Sequence, residues 1–146
     1  MKKKILMLSL LLVFISGCSS KDTSKNLRCE KSEVVSENTI NEVITATFEN
    51  DNIKTADIKI ETVVAEKYIP YIDSLEEDLK TKYEGYYNKS GIDINIAVGT
   101  SSITTKINVI FDNLNDESKQ VLGFSELIST YAETKSSLEN SGYKCK

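Results

Sequence analysis

The chain has 146 residues, 18 lysines and arginines against 22 aspartates and glutamates, and a net charge of −4. That length suits one domain with one core and is short for two lobes; the acidic balance disfavours nucleic acid, whose phosphates repel it. With no histidine and no tryptophan, His-based general bases, Ser-His triads, His-containing zinc sites and tryptophan sugar platforms are removed together.

Met1-Lys2-Lys3-Lys4 places positive charge ahead of an almost unbroken apolar run, Ile5 to Ile15. The run is shorter than the ~20 residues a spanning helix needs and matches the apolar region of a secretion signal. Ile15-Ser16-Gly17-Cys18 resembles the bacterial lipobox: an aliphatic residue, two small ones, then cysteine. The resemblance implies removal of residues 1–17, diacylglycerol on the Cys18 thiol, and a mature chain held on the outer side of the cell membrane. Two or three acyl chains would hold it stably, each buried methylene contributing ~0.8 kcal/mol. Without Lys2, Lys3 and Lys4 the mature chain is more acidic still.

Ser19 to Asn26 lacks apolar periodicity and reads as a solvated tether, so residues 18–28 are assigned to the lipidated cysteine and linker, and 29–146 to a single domain. With Cys18 acylated, Cys29 and Cys145 remain at the two ends of that domain, in an oxidising compartment, and a disulfide between them is expected. Neither belongs to a C-x-x-C, which argues against a redox role.

Strands show by alternation. Arg28 to Val35 reads as an extra edge strand. Val43 to Glu49, a turn at Asn50-Asp51-Asn52, and a strand with Ile58, Ile60, Thr62 and Val64 opposite Asp57, Lys59 and Glu61 make one hairpin. Ile92, Ile94, Ile96 and Val98 alternate with Asp93, Asn95 and Ala97, and after Gly99-Thr100-Ser101 a strand with Ile103, Thr105, Ile107, Val109 and Phe111 completes a second. Between the hairpins, Tyr68, Ile72, Leu75, Leu79, Tyr83 and Tyr86 recur at spacings of three and four, with Pro70 in the first turn and Gly91 as the stop. A last helix is expected from an N-cap at Ser125, with Phe124, Leu127, Ile128, Tyr131 and Leu138 on its stripe and Gly142 ending it.

The order β-β-α-β-β-α predicts an α+β fold: an antiparallel sheet of four to five strands carrying two amphipathic helices on its apolar face. The opposite face would show Asp57, Lys59, Glu61, Asp93, Asn95, Thr104, Lys106 and Asn108 to solvent. Lipobox, Lys/Ser-rich tether, this element order, the Lys82-Tyr83…Gly91-Ile92 run and the closing Ser141-Gly142-Tyr143-Lys144 together resemble the small bacterial lipoproteins of the YehR type. That resemblance implies an envelope lipoprotein of no established activity and brings no functional residues with it.

Chemical motifs are few. Asp112 to Glu117 fails as a calcium loop, having Leu at its third position and Glu at the sixth, where the turn needs Gly. Ser141-x-x-Lys144 has the spacing of some serine acyltransferases but no partner motif, and Glu76-Glu77-Asp78 fits the solvated side of a helix. No metal or cofactor is expected. Lys59, Asn95 and Lys106 on the polar sheet face, with Tyr87 lying off the helix stripe, form the candidate interaction surface for an envelope protein or a glycan. The reading is therefore a non-catalytic, lipid-anchored interaction module whose membrane contact is the acylated Cys18. A carrier holding a lipid or peptide between helices and sheet is the alternative, and a hydrolase built on Asp57, Asp93 or Asp112 a more distant one.

Overall fold

A computed structural model describes residues 23–122 and 130–146. The expected signal and Cys18 lie outside the described residues, as do Phe124 to Ile128 of the last helix's expected first turns. Among the described residues six antiparallel strands form one sheet: β1 (Ser24–Val35), β2 (Asn38–Glu49), β3 (Asn52–Val63), β4 (Ile92–Val98), β5 (Ser102–Ile110) and β6 (Lys144–Cys145), in the spatial order β4-β5-β3-β2-β1-β6. The two expected hairpins are present, β2–β3 and β4–β5. They join through the β3–β5 ladder, so the sheet is continuous.

The strand expected at the edge is longer than the alternation suggested. Ser24, Lys25 and Asn26, assigned above to the tether, are the first residues of β1 and pair with Glu49, Phe48 and Thr47. Their polarity reflects position: Lys25 lays its ammonium over the Tyr131 ring, 5.5 Å from the centroid, and Asn26 faces away from the helices. β1 is also not the last strand, because β6 pairs against it at Cys29↔Cys145 and Glu30↔Lys144.

Most of the apolar strand residues lie on one face. Leu27, Cys29, Ala46, Phe48, Ala56, Ile103 and Val109 are buried there; of the three α-helices among the described residues, α1 (Ile72–Lys82) and α3 (Tyr131–Asn140) pack on the sheet, while α2 (Asp116–Val121) packs on the turn Glu84–Tyr86. α3 brings Tyr131 and Leu138 onto Leu27, Cys29, Ala46 and Phe48, with Phe48 and Tyr131 meeting edge to face at 5.4 Å. α1 packs on β4 and β5. It is preceded by a 3-10 turn, Glu66–Tyr71, which contains Pro70, and the stripe read from the sequence closes with the buried Tyr83.

Three details refine the expected helices. α1 stops at Lys82, well before Gly91, which instead opens β4: at φ +77° its added Cβ would lie 2.7 Å from the Ile110 carbonyl oxygen. The described last helix is capped by Thr130, the expected cap Ser125 lying outside the described residues; the Thr130 hydroxyl accepts from the Glu133 amide while Glu133 accepts from the Thr130 amide, a reciprocal capping box. Finally, α2 was not anticipated. Asn115 caps it by accepting from both the amide and the hydroxyl of the fully buried Ser118, each at 2.8 Å.

α3 ends in a Schellman turn. The Tyr143 amide donates to the Leu138 carbonyl and the Gly142 amide to the Glu139 carbonyl, both at 3.0 Å, with Gly142 at φ +88°. This reversal aims the chain back along β1. Arg28 and Lys146 exchange both backbone hydrogen bonds, so the neighbouring Cys29–Cys145 pair occupies a non-hydrogen-bonded position, where facing Cα atoms come closest. Their separation is 4.0 Å and the expected disulfide is present.

Candidate functional site

Side-chain alternation sends the remaining half of each strand to the opposite face, over which no described helix lies. Register fixes the pattern of that face row by row. The central row runs Asn95, Lys106, Lys59, Val43, Glu30 and Lys144 across β4, β5, β3, β2, β1 and β6. Beside it lies Asp93, Asn108, Asp57, Thr45 and Arg28; on the other side, Ala97, Thr104, Glu61, Asn41 and Ser32. Arg28, Asp57, Lys59, Asp93, Asn95 and Lys106 line a shallow open depression of about 660 Å³ in the middle of the face.

Three of the four residues singled out in the sequence are thus neighbours. Lys59 stands directly opposite Lys106, and Lys106 opposite Asn95, all three exposed. Tyr87 does not join them: it follows the short turn Glu84–Tyr86, which packs on α1, α2 and β4, and is half-buried in the helical layer. Its place off the α1 stripe therefore reflects the end of that helix at Lys82.

The electrostatics of the row are uneven. Most surface cations have carboxylate partners: Lys54 pairs with Asp112 at 2.9 Å, Arg28 with Glu30 at 2.8 Å, Lys31 with Glu33 at 2.9 Å and Lys80 with Glu76 at 2.9 Å. Among the described residues Lys59 and Lys106 form no ion pair, although like charges directly opposed in a sheet are destabilising. Asp57 accepts a hydrogen bond from Asn108 at 2.7 Å. Asn108 separates it from Asp93 by two strand spacings, ~9–10 Å, and Asp112 is occupied by Lys54 elsewhere. The carboxylates considered for hydrolysis therefore do not converge on one point.

Arg28, read both as the end of the linker and as the start of an edge strand, is among the residues of this face that the expected polar surface did not include. Its signal was present in the alternation of Arg28, Glu30 and Ser32 against Leu27 and Cys29. At the far edge of the helical side, the Tyr143 hydroxyl donates to the Glu42 carboxylate, with Lys31 lying 5.7 Å from the ring centroid. Burial first, and then the Glu42 hydrogen bond, push that phenol's pKa above its ordinary value. No group of His, Cys, Asp or Glu among the described residues is arranged to hold a metal ion.

The architecture has counterparts. YehR of E. coli, solved by NMR, superposes with a TM-score of 0.62 at 13% identity, over 86% of this chain and 92% of its own. The fold is YehR-like. A protein from Streptococcus pneumoniae TIGR4, also solved by NMR, gives 0.57 at 13% identity over 100% of this chain and 97% of its own. No family model and no curated protein matches the chain. The YehR likeness thus concerns the path of the backbone: one sheet, helices on one side, the other side open.

Proposed function

We propose that this chain is a lipid-anchored, extracytoplasmic module of the bacterial envelope that binds a partner through the open face of its sheet and catalyses nothing itself. The observation that carries the reading is the opposed pair Lys59 and Lys106 beside Asn95. A cation pair without carboxylates costs stability where it stands; an acidic group on a partner would offset that cost and fix its register. The lipobox at Cys18 supplies the anchor, and the Cys29–Cys145 bridge suits an oxidising compartment. An envelope protein or an acidic glycan fits the face; no cofactor is called for.

The reading is tested in intact cells with a photo-reactive residue placed at Asn95 and, as control, at the exposed Asp73 of α1. Adducts to molecules other than a second copy of this chain are expected from position 95 and not from 73, and Lys59→Glu with Lys106→Glu should abolish them while leaving the melting temperature intact. Equal labelling from both positions, or labelling indifferent to the double substitution, would remove the open face from the proposal. Separately, Cys18→Ala should move the chain out of the membrane fraction; retention there would sink the anchor.

A further inference from the structure

The two edges of the sheet are not alike. One is closed by β6, whose bridge to Cys29 and flanking lysines block access to part of β1. The other is β4, Ile92-Asp93-Ile94-Asn95-Ile96-Ala97-Val98, which has no lysine, proline or bulge and a single charge, Asp93, and so carries few of the devices that usually discourage pairing at an edge. Its hydrogen-bond phase follows from two bonds at its ends: Ile110 donates to the Gly91 carbonyl at 2.8 Å and Gly99 donates to the Ser102 carbonyl at 2.7 Å. Gly91, Asp93, Asn95, Ala97 and Gly99 therefore turn their backbone groups toward β5. Ile92, Ile94, Ile96 and Val98 turn theirs outward. Apart from the Ile92 amide, which donates to Lys89, no described strand takes up this outward row.

We infer that β4 pairs with β4 of a second copy of this chain, antiparallel about a two-fold axis through Asn95. This register uses the whole strand and is self-complementary. Ile94 faces Ile96 of the other copy and exchanges both backbone hydrogen bonds with it, and the Val98 amide meets the outward carbonyl of Ile92. Apolar side chains meet apolar ones on the helix-covered side. On the open side the strand's single charge, Asp93, faces Ala97, so no like charges are opposed; a shift that centred the axis on Asp93 would oppose two carboxylates. Pairing fuses the two open faces, and the central rows run on as Lys59, Lys106, Asn95, Asn95, Lys106, Lys59. A strand pair of this size belongs to the small, transient class of interfaces.

The register makes the test sharp. The full chain carrying Asn95→Cys should form a covalent dimer under mild oxidation, since the two positions 95 meet at the axis with Cα atoms close enough to bridge. Ala97→Cys, on the same strand and face but opposite Asp93, should not. Adding Ala97→Glu to Asn95→Cys opposes Asp93 twice per dimer and should slow cross-linking about tenfold; adding Asp93→Lys as well should restore it. Positions 95 and 97 cross-linking alike, charge changes without effect, or Asn95→Cys captured only by a different protein would each overturn self-pairing.

Discussion

Individual side chains carry costs that the fold tolerates for identifiable reasons. Lys106→Glu would place a carboxylate opposite Lys59 and is expected to raise stability by about 0.5–1 kcal/mol. The same change should remove partner binding, so urea midpoint and photo-adduct yield are expected to move in opposite senses. Gly91→Ala meets both a positive φ and a backbone oxygen at 2.7 Å, and should cost about 2–3 kcal/mol or more in the same urea titration. Tyr143 predicts an alkaline limb. Its folded pKa lies above the unfolded value of 10.0, so its share of stability is complete below pH 10 and is lost as pH climbs through the folded value. Tyr143→Phe should flatten that limb in melting temperatures taken from pH 8 upward. Glu133 has the opposite sign: the Thr130 amide, and then its hydroxyl, hold the carboxyl below 4.5. Its contribution is present above that value and fades as pH falls through the folded one.

At the scale of elements, α3 depends on its two ends, because none of its residues is fully buried. Thr130→Ala removes the hydroxyl that accepts from the Glu133 amide, leaving the backbone half of the capping box in place, and should destabilise by about 1 kcal/mol. Gly142→Ala finds nothing closer than Lys31 Cε at 3.9 Å, so its cost, also about 1 kcal/mol, is conformational alone. Hydrogen exchange of the α3 amides is the measurement for both. Legibility in the sequence tracked burial. The β2–β3 and β4–β5 hairpins declared themselves because one face of each is mostly apolar, and that alternation placed Lys59, Asn95 and Lys106 on one face. The start of β1 did not, since Ser24, Lys25 and Asn26 lie at the sheet's margin and bury little. α2 is six residues long, too short for periodicity, although Asn115 with Asp116 and Glu117 behind it is the composition of a helix start. Tyr87 stands apart from the other three because α1 ends at Lys82, before a helix wheel would reach it. β6, with two residues, could be reached only through its cysteine.

For the molecule as a whole, that cysteine links the first strand to the last across a sequence separation of 116. Closing such a loop restricts the unfolded chain by ~4–5 kcal/mol in the entropy model. Replacing Cys29 and Cys145 together by alanine should therefore lower stability by about 2–5 kcal/mol, read as a fall in urea midpoint relative to the parent. The loss should centre on the Leu27, Ala46, Phe48 and Tyr131 cluster that Cys29 completes. The bridge also determines how the protein bears a load. A pull between the two ends of the chain reaches Cys29 after peeling only the start of β1, then passes through the sulfur atoms to Cys145 and out. The rest of the sheet, all three helices and the open face lie in a covalent ring that carries none of the tension. Reduction opens the ring and releases ~400 Å of contour. In an optical trap the oxidised chain should lengthen by a few residues and stop, and a reductant should add that long second step.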